Sequence, residues 1–294
     1  LTNVKEIYSN TYAFAALKND GSVVTWGDTN SGGSSSGIVL TDVDKIFSTR
    51  DAFAALKKDG SVVAWGNTYD GGNISNNIAA TLNSSNNKVI DIYATDAAFA
   101  ALKENGSVVT WGSGSSGGLS SQVNNELHNV VKIFSNSTTF AALRGDGSIV
   151  NWGGDGGGGY VVNGVIGNNN LAIFSTGYAF AALKNDGSVM TWGDTYVGGE
   201  PSVYNYDSNN AEWIKVASVS NDLTNVMNVF SNNSAFAALR KDGSVITWGD
   251  AASGGDSSLV ASDLNGDIDV KQIFTTGWGT FAALRVDGLV VTWG

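Results

Sequence analysis

The stretch Phe14-Ala-Ala-Leu-Lys-Asn-Asp-Gly-Ser-Val-Val-Thr-Trp-Gly27 returns with small changes beginning at Phe53, Phe99, Phe140, Phe180, Phe236 and Phe281. Seven copies run through the 294 residues, the last closing on Gly294. A repeat of this size cannot cover its own apolar faces, so neighbouring copies must stack on one another. A single domain spanning 1–294 is therefore expected, with repeat units near 4–33, 43–72, 89–118, 130–159, 171–199, 226–255 and 270–294.

The first copy shows the unit. Val4-Lys-Glu-Ile-Tyr-Ser9 is rich in strand formers, and Phe14-Ala-Ala-Leu17 follows a short polar turn. Ala-Ala-Leu-Lys favours helix in isolation, but so short a run closed by Asn-Asp-Gly suits a strand entering a hairpin. Asp20-Gly21 supplies the turn and Ser22-Val-Val-Thr-Trp26 the return strand. After each Trp-Gly except the last come four free residues and a Gly-Gly pair, from Gly32-Gly33 to Gly254-Gly255, the fourth being Gly158-Gly159. The segments beyond these pairs vary in length, with Phe-to-Phe spacings from 39 to 56 residues, so they are read as surface excursions. Gly37-Ile-Val-Leu40 is a candidate fourth strand in one of them.

Three strands and room for a fourth in 40 to 45 residues make one blade, and seven such units predict an all-β, seven-bladed β-propeller. Strands covered on both faces by neighbouring blades explain consecutive apolar residues such as Phe14-Ala-Ala-Leu17 and Val23-Val24.

The run strand, Ala-Leu-Lys-x-Asp-Gly-x-Val-x-x-Trp-Gly, four residues, Gly resembles the regulator of chromosome condensation repeat over essentially the whole chain. That resemblance implies a seven-bladed propeller. The family's frequent His before the Ala-Leu pair is replaced by residues such as Ala13, Ala52 and Thr139, and its Gly-Gln-Leu-Gly is reduced to Gly-Gly. Nothing matches the basic chromatin arm of the nuclear members, so their exchange activity does not carry over. In texture the chain is similar to propeller-type beta-lactamase inhibitory proteins and to repeats of large bacterial adhesins, both of which imply binding without catalysis.

A net charge of −11 with a pI near 4.4 opposes nucleic acid and anionic membrane, which select clustered Lys and Arg. The absence of cysteine removes disulfides, zinc-thiolate sites and thiol catalysis, and one histidine, His128, leaves no two-His metal site. No apolar run reaches the roughly 20 residues of a membrane helix, and no signal-peptide pattern is present. The chain opens on Leu1, which is read as a mature or excised segment of a longer multidomain surface protein.

The seven motif tryptophans invite a carbohydrate-stacking reading, but their equal placement inside a hairpin argues for core. The recurrent Asp-Gly carboxylates are likewise explained as turns. Ligand-binding residues should instead differ between copies at one geometric place. Two places qualify: the turn before each Phe, with Tyr12, Arg50 and Asp51, Asp96, Tyr178 and Trp278, and the window after Trp-Gly, with Tyr69, Asp70, Asp155 and Tyr196. Tyr, Trp and Arg are the types favoured as binding hot spots. Asp263, Asn265, Asp267 and Asp269 alternate as oxygen ligands do in calcium loops, yet the usual Gly and distal Glu are missing, and a polar inter-blade loop accounts for them better.

The expectation is a non-enzymatic extracellular or cell-surface module binding a protein or carbohydrate. An enzyme inhibitor and a self-assembling surface protein stand as alternatives. The last copy could be completed by N-terminal residues or complete a blade in a neighbour.

Overall fold

The computed structural model describes residues 1–154, 164–207 and 212–294. The chain is all-β, and its seven repeats form seven blades, each built on a three-stranded antiparallel sheet. Blade 1 is Val4–Ser9, Ala13–Lys18 and Val23–Gly27. The same three strands recur within 43–66, 89–112, 130–153, 170–193, 226–250 and 270–293. The chain divides into two units, the first four blades and the last three.

Register repeats as closely as sequence. In every blade the first strand slips by one residue against the second near its start, as between Val4 and Glu6, a bulge that increases local twist. The second and third strands pair so that the motif Phe lies directly across from the motif Trp. Their rings stack in all seven copies, with centroids 5.1 to 5.4 Å apart.

The core lies between consecutive blades. Ala13, Ala15 and Leu17 of blade 1 pack on Ile46, Phe53, Ala55 and Trp65 of blade 2, and the same clusters join blades 2 to 3, 3 to 4, 5 to 6 and 6 to 7. Alanines on the trailing face let the next sheet approach, and the Phe–Trp pair of that sheet fills the wider gap. Trp65, Trp111, Trp152, Trp248 and Trp293 are buried as expected of core; Trp26 and Trp192 are half-buried.

The Gly-Gly pair is the lid of this interface. Gly71 carries its backbone at φ +96°, and a Cβ there would stand 2.7 Å from Cδ2 of Phe99 in the next blade. At Gly72 a Cβ would fall 2.4 Å from the backbone of Gly66. One glycine therefore admits the next blade's ring and the other admits the chain's own return. The Trp111 indole Nε1–H donates to the Gly71 carbonyl at 3.0 Å, and the corresponding bond recurs from Trp65, Trp152, Trp248 and Trp293.

The Asp-Gly turns are closed by side-chain hydrogen bonds. Asp20 Oδ1 accepts the Ser22 hydroxyl at 2.6 Å and its N–H at 2.9 Å. These bonds, the hydroxyl's first, hold the carboxyl below the usual range, as they do at Asp59, Asp146, Asp186 and Asp242.

Two expectations about the connections are corrected. Gly37–Leu40 is not a strand: Gly37 turns at φ +82° and Asp42 at φ +58°, while Leu40 is buried as a plug between blades 1 and 2. Fourth strands occur elsewhere. Gly164–Ile166 pairs with Ile149–Gly153, and Ser202–Asp207, in a hairpin with Glu212–Ser218, runs parallel to Val245–Asp250 of blade 6. The N-terminal strand Val4–Ser9 pairs inside blade 1, and the blade 7 sheet consists of its own three strands.

Candidate functional site at the turn-bearing end of the blades

The turn before each Phe begins with Asn or Thr: Asn10, Thr49, Thr95, Asn136, Thr176, Asn232 and Thr276. In each copy that side chain accepts the N–H of the residue preceding the Phe, as Asn10 Oδ1 does from Ala13 at 2.8 Å, and so shapes the turn. In five blades it also reaches the window after Trp-Gly. Asn10 Nδ2 donates to the Ser31 carbonyl, Thr49 Oγ1 to Asp70, Thr95 Oγ1 to Ser116, Thr176 Oγ1 to Val197 and Asn232 Nδ2 to Ser253. The two candidate places are thus tied together and open at the same end of each blade. This Asn/Thr stands in the sequence four residues before the Phe in six copies and five before it in the last, and that recurrence was the signal that could have revealed it.

Successive turns are also linked to one another. In the first unit Thr11 N–H donates to Arg50 O, Arg50 N–H to Asp96 O and Asp96 N–H to Ser137 O, at 2.8 to 3.1 Å. In the second, Gly177 N–H donates to Asn233 O and Asn233 N–H to Gly277 O. The residues that differ from copy to copy are therefore strung along a continuous backbone rim in each unit.

In the first unit the rim is acidic around one cation. Arg50 Nε bonds Asp51 Oδ2 at 3.0 Å, and its Nη2 stands 3.6 Å from Asp70 Oδ2. Ser31 Oγ donates to the other Asp51 oxygen at 3.2 Å. Asp70 is only 1% exposed, and its Oδ1 finds no donor. Burial, then the adjacent Asp51 carboxyl, push Asp70 upward against the pull of Arg50. Asp96 is raised by burial as well, opposed by Arg50 and a Ser137 bond. Exposed Tyr12 and Tyr69 flank this group, and Ser113, then Ser115, of the next window draw the Tyr69 hydroxyl below its ordinary range.

A carboxyl raised in the folded state stabilises the protein while protonated, and that contribution is lost as pH rises through its folded pKa. Asp70→Asn removes the penalty of an ionised, buried Asp70. We expect it to raise the urea midpoint at neutral pH, with the gain shrinking to nothing as pH falls into the ordinary carboxylate range. A gain that instead grows toward acid would contradict the assignment.

In the second unit the rim is aromatic. The blade 7 turn, Thr276 to Thr280, is one residue longer than the others and thrusts out Trp278, 91% exposed. Tyr178 is exposed, and Tyr196 packs edge-on against Tyr204 with centroids 5.3 Å apart. Tyr204 is buried and donates to Glu200 Oε2 at 2.7 Å; Glu200 also pairs with Lys215.

The structure thus brings Arg50 and Asp51 together with Asp70 and Asp96, and places Tyr12 and Tyr69 on the same unit and Tyr178, Tyr196 and Trp278 on the other. Asp155 and the Gly158-Gly159 pair lie outside the described residues. In the calcium-loop candidate, Asp263 Oδ1 takes Arg285 Nη1 at 2.9 Å and Asn265 Nδ2 donates to Asp267 Oδ2 at 2.7 Å. The Asp269 carbonyl accepts the Val286 N–H at 2.9 Å. Among the described residues no group of three or more His, Cys, Asp or Glu is placed to hold a metal ion, and no helix is long and apolar enough to cross a membrane.

No family model and no curated protein matches the chain. Among solved structures it is similar to Prp20p from Saccharomyces cerevisiae, described with its binding to Gsp1p and histones, at 17% identity and TM-score 0.49, covering 85% of this chain and 72% of that one. It is similar to the ectodomain of the Physcomitrella patens receptor kinase CR4 at 15% identity and TM-score 0.49, covering 99% and 74%. Human WBSCR16 is similar at 16% identity and TM-score 0.46, covering 96% and 88%.

Proposed function

We propose that the chain is a non-enzymatic binding module that recognises a protein through the turn-bearing end of its blades, in an extracellular or cell-surface setting of the adhesin kind. The observation that carries this is the division of labour within each copy. The hairpin and lid are constant and spent on packing, whereas the end turns differ and present Tyr12, Arg50, Tyr69, Tyr178, Tyr196 and Trp278. A rigid scaffold that holds aromatic and Arg side chains at little entropic cost is what an interface needs. The first unit's surplus of carboxylates over Arg50 favours a partner surface bearing Lys or Arg. A second reading, an inhibitor seated in the cleft of a target enzyme, is favoured by Trp278, a lone protruding aromatic on a lengthened turn.

The test is a binding screen of the chain against protein and glycan arrays, followed by two variants. Replacing Tyr12 and Tyr69 together by Ala is expected to weaken a protein ligand of the first unit at least tenfold while leaving the unfolding midpoint unchanged, both side chains being exposed. Trp278→Ala does the same if the inhibitor reading holds. A glycan ligand alone, no ligand at all, or affinity indifferent to every one of these residues would sink the proposal.

A further inference from the structure

The residue before each lid pair is fixed by its backbone and free in its side chain. In blades 1, 2, 3, 5 and 6 its carbonyl takes the bond from the turn Asn or Thr, whether the residue is Ser31, Asp70, Ser116, Val197 or Ser253. Packing therefore does not call for a carboxylate there, and of these five blades only blade 2 has one. Asp70 is nevertheless buried, and its Oδ1 meets no donor. A buried carboxylate oxygen without a donor costs stability, so its presence points to a donor that arrives from outside.

Arg50 is the cation beside it, and it serves Asp70 poorly. Its Nε lies 3.0 Å from Asp51 Oδ2, but its Nη2 stands 3.6 Å from Asp70 Oδ2, beyond hydrogen-bond length. One close bond is made where a guanidinium lying squarely across two carboxylates would make two or more. Covalent geometry restrains it: Arg50 and Asp51 are neighbours in one turn, and the Arg50 backbone is held on both sides by the rim bonds to Thr11 and Asp96. Its side chain stays 56% exposed, while the other Asp51 oxygen is held by Ser31. Asp51, Asp70 and Asp96 all act on this one guanidinium.

We propose that Asp51 and Asp70 form a pocket for the guanidinium of an arginine supplied by the partner, with Arg50 as its displaceable plug. This rests on the reading of the first unit as a protein-binding end, and it names the side chain that end takes. An arginine on another chain is not tied to the blade 2 turn, so its planar fork can lie across both carboxylates and give Asp70 the donor it lacks. Arg50 then turns toward Asp96, which already attracts it. Tyr12 and Tyr69, exposed on either side, pack against the partner around the inserted arginine. In the free protein Arg50 competes for the pocket, so its removal strengthens the binding of an outside guanidinium.

Calorimetric titration with the peptide acetyl-Gly-Arg-Gly-amide, and with its Lys counterpart at equal ionic strength, tests this. Arg50→Ala is expected to bind the Arg peptide at least tenfold more tightly than the wild type does. Adding Asp70→Asn should abolish that gain, and the Lys peptide should gain less. Tryptophan emission checks that each variant is folded; Arg50→Gln, which keeps a donor for Asp51 without the charge, takes the place of Arg50→Ala if that variant is not. No gain on removing Arg50, a gain that survives Asp70→Asn, or an equal gain for both peptides overturns the proposal. A protein ligand that depends on Tyr12 and Tyr69 while Arg50→Ala gains nothing overturns the pocket and leaves the binding end standing.

Discussion

Phe99→Ala is expected to cost about 3–5 kcal/mol of unfolding free energy, the range for emptying a buried aromatic site. The ring is fully buried, stacks on Trp111 at 5.1 Å and is roofed by Gly71 of the preceding blade. Stacking adds about 0.5–1.5 kcal/mol beyond area. The cavity cannot be refilled cheaply, because Trp111 is tethered through its indole N–H to the Gly71 carbonyl and Ala101 behind it is too small to collapse inward. Domains of this kind have about 5–15 kcal/mol in total, so the variant should approach the limit of folding. Urea unfolding followed by tryptophan fluorescence measures it.

Gly71→Ala is the second large effect. The backbone at φ +96° strains any residue with a Cβ by about 1–2 kcal/mol, and the methyl would press on Phe99 at 2.7 Å. Overpacking of this sort adds about 1–3 kcal/mol, for a loss of about 2–5 kcal/mol in all. Gly37→Ala is the control: it shares a positive φ, +82°, but a Cβ there meets nothing within 4 Å. It should lose only the backbone part. Equal losses at the two sites would mean that the lid does not press on the next blade's ring.

The hairpins were legible in the sequence because their determinants are local. Asp20 bonds Ser22 two residues away, Gly21 turns, and Val23 and Val24 favour strand, so a window of a few residues holds the whole argument. The lid was visible as Gly-Gly but not intelligible. Its reason is Phe99, which stands 28 residues beyond Gly71 and reaches it only through the stacking of two sheets. Gly37–Leu40 misled because a short apolar run looks the same whether it is a strand or a plug, and here Leu40 alone is buried while Gly37 breaks the extended backbone. At the candidate site, residue types pointed to Arg50 and Asp51, and hairpin logic kept the Asp-Gly carboxylates out. The convergence of Asp70 and Asp96 on Arg50 was not readable, since it depends on three turns from two blades meeting along one rim.

The repeated hairpin is scaffold because of where it stands between blades, and its worth should follow position rather than sequence. Copies 1 and 3 share the identical Phe-Ala-Ala-Leu-Lys run, but Phe99 is fully buried and Phe14 is not. The decisive measurement is the unfolding free energy of Phe14→Ala beside that of Phe99→Ala. A gap of about 2 kcal/mol or more, with Phe14→Ala the milder, is predicted from the burial difference. Equal losses would contradict it, and would mean that the motif acts within its own blade rather than between blades.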